Sequence, residues 1–205
     1  IGVNEQRFAK EFKDKGIAMP EKLEDLLNPA FKGEIIMPDP AKSGTGSTFL
    51  TAIVQNMGEE KGFAYLKALK ENVAQLTPSG FTPAQKCGAG EFLITVNFLS
   101  DQMNVSNKGQ KIHSTVYPDA GWTLCGISKL KGAAHDAEAN AFIDYMMSKE
   151  AGDIMVRTTN GIACNPQSAA PAGTKPLSEL PLYQGYDFAK AGKEKDALTA
   201  KFAAL

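Results

Sequence analysis

Arginine is nearly missing from this chain of 205 residues: Arg7 and Arg157 are the only two. A protein that reads phosphates through side-chain charge leans on bidentate guanidinium forks. Anion recognition here would have to rest on backbone N–H groups and hydroxyls instead. Histidine is equally scarce, with only His113 and His135. Neither stands in a Ser-His-Asp or HExxH arrangement, and no base is recognisable for Ser43 or Ser79, so no catalytic residue is assigned. No apolar run approaches the roughly 18 residues that cross a bilayer. The three cysteines, Cys87, Cys125 and Cys164, are odd in number and far apart. That is neither a disulfide framework nor a metal spacing. At most one bridge is possible, and three buried or inert thiols are expected. The net charge of −1 argues against a nucleic-acid or membrane-surface partner. The chain opens on Ile1-Gly2-Val3, with neither an initiator methionine nor a signal-peptide pattern, so a processed product or a fragment is expected.

What is present is the composition of an ordinary globular protein, 43% hydrophobic and 22% charged. Strand and helix signals alternate, which predicts an α/β fold with a mainly parallel sheet. Residues 2–8 read as a first strand or linker and residues 20–27 as a short helix. A strand follows at 34–37, then helices from about Ser47 to Met57 and from Glu59 to Asn72. Val73 to Leu76 gives a short strand signal. Thr82-Pro83 looks like a cap and first-turn proline opening a brief helix. Residues 92–98 are almost continuously apolar, as in a strand buried on both faces. Residues 111–117 and 124–130 are two more strand candidates. A helix is expected over 136–147 with Phe142, Ile143, Met146 and Met147 inward. Ser148 caps the next helix, which ends near Arg157 with Asn160-Gly161 as its stop. Four prolines between 165 and 185 mark an irregular excursion. A last helix runs from about Asp187, carrying Phe188, Leu198, Phe202 and Leu205.

The segment with the most chemistry is Met37-Pro38-Asp39-Pro40 followed by Ser43-Gly44-Thr45-Gly46-Ser47. It lies between a strand and a helix, at the carboxyl end of the strand, where open α/β sheets bind ligands. Free N–H groups, hydroxyls and the helix dipole converge there on a spot suited to a phosphate or carboxylate. It is neither a Walker A loop nor a dinucleotide fingerprint, since no Gly-Lys-Ser/Thr follows and position 49 is Phe49. The plain alternative is a capped turn. Thr77-Pro78-Ser79-Gly80 is a second polar turn, either capped or a second wall of the same site. Asn97, inside an apolar strand, must be satisfied internally or face a ligand. Asp101 is either a solvated carboxylate or an acceptor for a hydroxyl or ammonium. Trp122, the one tryptophan, is partial core or a stacking surface.

The order of these pieces resembles the substrate-binding proteins of bacterial ABC importers with the type II periplasmic-binding-protein fold. It is most similar to the ferric-iron-like branch that also takes phosphorylated sugars and phosphonates. The resemblance rests on Leu23-Glu24-Asp25-Leu26-Leu27-Asn28-Pro29-Ala30-Phe31-Lys32-Gly33 and on Met37-Pro38-Asp39-Pro40 with Ser43-Gly44-Thr45-Gly46. It continues through Gly58-Glu59-Glu60-Lys61-Gly62, Gly90-Glu91, Lys131-Gly132-Ala133, Phe142-Ile143-Asp144-Tyr145 and Ser148-Lys149-Glu150-Ala151. The resemblance implies a small anionic solute, an ABC-importer permease as partner and a periplasmic or extracytoplasmic location, with no cofactor and no metal. It implies that Ser43, Gly44, Thr45 and Gly46 cradle the anion and that Ser79 is a neighbouring donor. Asn97, Asp101 and Trp122 fall where other ligand contacts are expected.

Family members carry a further N-terminal stretch before the segment matching Phe8 to Pro29. By that comparison residues 1–119 form one complete lobe and residues 120–205 a helix-rich, incomplete second lobe. Helices 136–147 and 187–205 would then expose apolar stripes. A homodimer follows as an expectation, with exchange of the C-terminal segment by domain swapping as one way to build it. No carboxylate follows Gly121, where sugar-phosphate binders often carry one, which leaves open a different solute or a loss of binding. Two other classes stand beside the binding protein: a phosphoryl- or acyl-transfer enzyme using the 43–47 loop, and a non-binding assembly module.

Overall fold

A computed structural model describes residues 1–205. Its centre is a mixed sheet of five short strands. They are β1 (Gly2–Asn4), β2 (Ile35–Pro38), β3 (Val73–Thr77), β4 (Ile94–Thr95) and β5 (Ile112–Ser114), in the order β3-β2-β4-β1-β5. β2 is parallel to β3 and β4, while β1 runs antiparallel to β4 and β5. The opening residues thus form a strand and then a helix, α1 (Glu5–Glu11), capped by the Asn4 side chain on Arg7 N–H. The apolar run 92–98 contributes only two ladder residues, yet Leu93, Ile94 and Val96 are all buried. Its centre lies between β2 and β1, so burial on both faces follows from position.

Helices α2 (Gly44–Met57), α3 (Glu59–Lys70), α4 (Thr82–Gly88) and α5 (Leu99–Ser106) join these strands. α2 begins three residues earlier than the sequence suggests. Helical backbone starts at Gly44, and Ser43 is the extended N-cap residue. The glycines concealed this start because their intrinsic helix propensity is poor. Residues 20–27 condense to a 3-10 turn at Glu24–Leu27. Thr82 is the first residue of α4 and not its cap; that position falls to Phe81.

The remaining helices are α6 (Asp136–Met146), α7 (Lys149–Thr159) and α8 (Phe188–Ala203). The chain divides into two compact units, one of Ile1–Trp122 with Pro181–Leu205 and one of Thr123–Leu180. The last helix therefore returns to the first unit. It packs on α2, so the apolar stripe expected to be bare on 187–205 is covered at Leu198 and Phe202, while Phe188 stays 41% exposed. The two crossings are tied together by Ala120 N–H to Pro181 O at 3.1 Å and Tyr183 N–H to Ala120 O at 3.0 Å. Both are latched to the flank of α2. Thr51 and Tyr186 share a hydroxyl contact of 2.7 Å, and Gln55 bonds the backbone of Asp187 through both amide atoms.

In the second unit α7 behaves as expected, with the Ser148 hydroxyl accepting from Ala151 N–H and Asn160 left-handed at its end. α6 forms too, but none of its residues is buried; Phe142 is 57% and Met147 56% exposed. The inward face expected for it is instead an uncovered apolar stripe. Residues 124–130 pair with no strand and remain irregular, because a strand needs a neighbouring edge to satisfy its backbone.

Only one thiol is buried. Cys87 is 0% exposed, donates to Leu93 O and has its ionisation pushed up to about 12 by desolvation, while Cys125 and Cys164 are exposed. A disulfide-exchange reagent at neutral pH should therefore label two thiols of the folded chain quickly and the third only in denaturant. A single fast thiol, or three, would contradict this arrangement.

Candidate functional site

The carboxyl ends of β2, β3 and β4 share one edge of the sheet because the three strands are parallel. Each runs into a polar turn: residues 39–43, 78–81 and 96–98. The first turn is set by Asp39. Its backbone N–H donates to Thr77 O at 2.7 Å, its carbonyl accepts from Lys42 and Ser43 N–H, and its carboxylate accepts from Ala41 N–H. The chain is thereby turned so that α2 starts against its own entry loop. The contact is close: a Cβ on Gly46 would stand 2.6 Å from Pro38 O and 2.8 Å from Pro40 N. Only glycine permits that approach.

The N–H groups of Gly44, Thr45 and Gly46 belong to the first turn of α2, where helical geometry offers them no acceptor. Ser43 makes no side-chain cap to them. They stand beside the hydroxyls of buried Ser43 and half-buried Thr45, at the positive end of a helix of 14 residues. Across from them lies Gly80. A Cβ there would meet Thr45 Oγ1 at 2.3 Å and Ser43 Oγ at 3.4 Å, so the second turn does wall the first. Ser79 Oγ accepts from Phe81 N–H and keeps its own proton to donate. Arg7 lies elsewhere, clamped by Glu11 and Glu34 beyond the opposite ends of the strands, and Arg157 belongs to α7 of the second unit. The nearest cation in sequence is Lys42, paired with Asp39 at 3.4 Å.

Asn97 joins the third turn to the second. Its Nδ2 donates to Gly80 O at 3.1 Å and to Asp101 Oδ2 at 3.4 Å, while its Oδ1 accepts from Thr95 Oγ1 and Gln102 Nε2. Of the two readings open from the sequence, internal satisfaction is the one realised. Asp101, in the first turn of α5, is half-buried, and desolvation raises its ionisation to about 6 despite the opposing hydrogen bond from Asn97. Trp122 follows Gly121, which packs against Thr48 and Ala52 of α2. Its indole donates to Tyr183 O at 3.0 Å and its ring meets Phe188 edge-on at 5.0 Å. The structure thus gathers Ser43, Gly44, Thr45, Gly46, Ser79, Asn97 and Asp101, and ties Trp122 to Tyr183 and Phe188. Gly80 lay inside the second turn suspected from the sequence, whereas Thr95 and Gln102 were missed: they carry no local signal, since their partners are set by tertiary packing.

The raised Asp101 has a consequence for stability. A carboxyl that holds its proton more tightly when folded favours the fold below its unfolded value near 4, and that contribution is lost as pH rises to about 6. Asp101→Asn should therefore be more stable than the parent at pH 7 and show no such advantage at pH 4. Equal midpoints at both pH values would show that Asp101 is not desolvated.

Residues 1–190 match the family model described as bacterial extracellular solute-binding protein. The chain belongs to that family. It is 36% identical over 213 residues to an uncharacterized protein of Haemophilus influenzae, covering 98% of this chain and 59% of the relative. Among solved structures it is similar to the periplasmic binding protein AfuA from Actinobacillus pleuropneumoniae, solved with exogenous fructose-6-phosphate bound. The TM-score is 0.85 at 32% identity, over 99% of this chain and 64% of AfuA. It is also similar to the periplasmic binding protein P5PA, with a TM-score of 0.82 at 33% identity and the same coverage. The chain spans about three fifths of the length of these relatives. The fold expected from the sequence, α/β of periplasmic-binding-protein type with one lobe complete and a second in part, is the fold observed.

Proposed function

We propose that the chain carries the anion-binding part of an extracytoplasmic solute-binding protein that serves an ABC importer, and that its solute is a small phosphorylated compound. The observation that carries this reading is the start of α2. Three N–H groups without helical acceptors and the Ser43 and Thr45 hydroxyls share one spot at a positive helix end, walled by Gly80. Ser79 adds a donor, and Asp101 supplies an acceptor for a hydroxyl or amine of the same ligand. The fructose-6-phosphate held by AfuA supports a sugar phosphate. In this reading residues 1–122 with 181–205 are the lobe that grips the anion, residues 123–180 belong to the other lobe, and a permease in the membrane is the partner. Self-association belongs to the same proposal. It is supported by the bare stripe of α6, and a monomer in light scattering at micromolar concentration removes it.

The test is a thermal-shift titration with inorganic phosphate, fructose 6-phosphate and fructose. A ligand at 100 times its dissociation constant stabilises by about 2.7 kcal/mol, roughly 5–10 °C for a chain of this size. The expected result is a shift with the phosphorylated probes, none with fructose, and loss of the shift in Ser43→Ala/Thr45→Ala. A folded sample that responds to no phosphorylated probe, or a double variant that responds like the parent, overturns the reading.

A further inference from the structure

Beside the candidate site a glutamine is buried at a standing cost. Gln102 is 1% exposed, and its Oε1 has no hydrogen-bond partner. An apolar side chain of similar size would avoid that cost, since an unpaired buried carbonyl loses its hydration for nothing. What Gln102 gains is on its other atom. Nε2 donates to Asn97 twice, to the backbone carbonyl at 3.1 Å and to Oδ1 at 3.2 Å. Thr95, 0% exposed, donates its hydroxyl to the same Oδ1 at 3.0 Å. The Asn97 amide therefore accepts two bonds from the core. It gives two outward, to Gly80 O and Asp101 Oδ2. An asparagine amide has no further capacity. Its orientation is fixed on one side by the core and on the other by the residues that wall the start of α2.

We infer that Thr95 and Gln102 are positioning residues that act through Asn97 to hold Gly80 and Asp101 in place against the N-terminus of α2. The inference rests on the reading that this N-terminus binds an anion. Without the relay the Gly80 carbonyl is free to turn, and with it the backbone that packs on Thr45 and Ser43. Asp101 in turn loses the one hydrogen bond that favours its charged form. Other titratable groups on the elements packed against α5 are Lys86 and Cys87 on α4 and His113 on β5. Lys86 is engaged by Gln75 and Glu91, Cys87 is a buried thiol, and none of the three contributes to the raised Asp101. Asn97 is thus the one side chain whose hydrogen bond favours the charged form of that carboxyl.

Two readouts test this in Thr95→Val, Gln102→Leu and Asn97→Asp. The first needs no ligand: the Asp101 carboxyl is titrated by NMR in the free protein. Asn97→Asp sets a second carboxylate where an amide donated, so the Asp101 midpoint should move well above 6. The two core variants should move it upward by less. The second readout is calorimetric affinity for fructose 6-phosphate, expected to weaken at least tenfold in Asn97→Asp and several-fold in the others. A residue that merely supports the fold would lower the melting temperature and leave both the titration and the affinity of the folded fraction unchanged. Should Asn97→Asp fail to fold, Thr95→Val and Gln102→Leu carry the test. An unmoved Asp101 titration in the folded variants overturns the relay. A parent protein that binds neither phosphate nor fructose 6-phosphate overturns the anion reading, and the titration still decides the relay.

Discussion

Gly46→Ala should abolish anion binding and destabilise the fold, while Gly44→Ala, two residues away, should do neither. The two glycines share the first turn of α2 but not its surroundings. A Cβ at 46 would lie 2.6–2.8 Å from Pro38 O, Asp39 C and Pro40 N, all of them backbone atoms. That backbone cannot retreat freely, because Asp39 N–H is bonded to Thr77 O and Pro38 pairs with Thr77 in the ladder. The start of α2 must move instead, carrying with it the N–H groups and hydroxyls of the candidate site. Overpacking of this kind costs about 1–3 kcal/mol, more where backbone is the obstacle. At Gly44 a Cβ meets nothing within 4 Å. Alanine there also removes the entropic cost of glycine in a helix, up to about 1 kcal/mol. Denaturant unfolding with phosphate-probe titration reads both effects. Equal stability for the two variants would mean that the close approach of α2 to residues 38–40 is absent in solution.

Those two glycines also show why part of the site was legible in the sequence and part was not. The residue types of 43–47, and their place after a strand, pointed to an anion-binding turn. Where the helix starts was not readable, because helix propensity argues against Gly44 and Gly46 while tertiary packing demands at least one of them. The inward hub was invisible for another reason. Thr95, Asn97 and Gln102 form no periodic or spaced motif. They meet because β4 is too short to carry Asn97 into the ladder and α5 returns over its end. Asn97 was suspected on the sound ground that a buried amide must be satisfied, but the ground does not say by whom.

The helices divide in the same way. Periodicity located α2, α3, α6, α7 and α8 to within a few residues, since each carries an apolar stripe at helical spacing. What each stripe meets is a tertiary fact. The stripes of 136–147 and 187–205 look alike in sequence, and one is bare while the other buries Leu198 and Phe202. The strands were harder still. Residues 124–130 have strand composition and no partner, whereas Gly2-Val3-Asn4, readable as either a strand or a linker, pairs with β4 and β5. Pairing, more than propensity, decides such short segments.

Phe202→Ala should therefore cost about 3–5 kcal/mol, the range for truncating a buried phenylalanine, and Phe142→Ala should change stability by less than about 0.5 kcal/mol. Phe202 is 5% exposed at the end of α8. It sits over a hollow lined by Met37, Leu66, Leu69, Val73 and Leu76, with Lys70 Nζ 5.6 Å from its ring centre. Its neighbour Lys201 lies over the Phe63 ring at 4.4 Å and pairs with Glu59, so the helix end is held to α3 on two sides. Removing the ring leaves a cavity between β2, β3 and α3 that those anchored walls cannot close. Against a typical stability of about 5–15 kcal/mol, a loss of that size exposes much of the first unit to unfolding. Phe142, 57% exposed on α6, gives up little when truncated. The pair of measurements tests the division of the chain directly. A mild Phe202→Ala together with a severe Phe142→Ala would place the last helix outside the first unit and cover the α6 stripe. The expected order, severe for Phe202 and mild for Phe142, makes residues 181–205 an integral wall of the unit that carries the anion site.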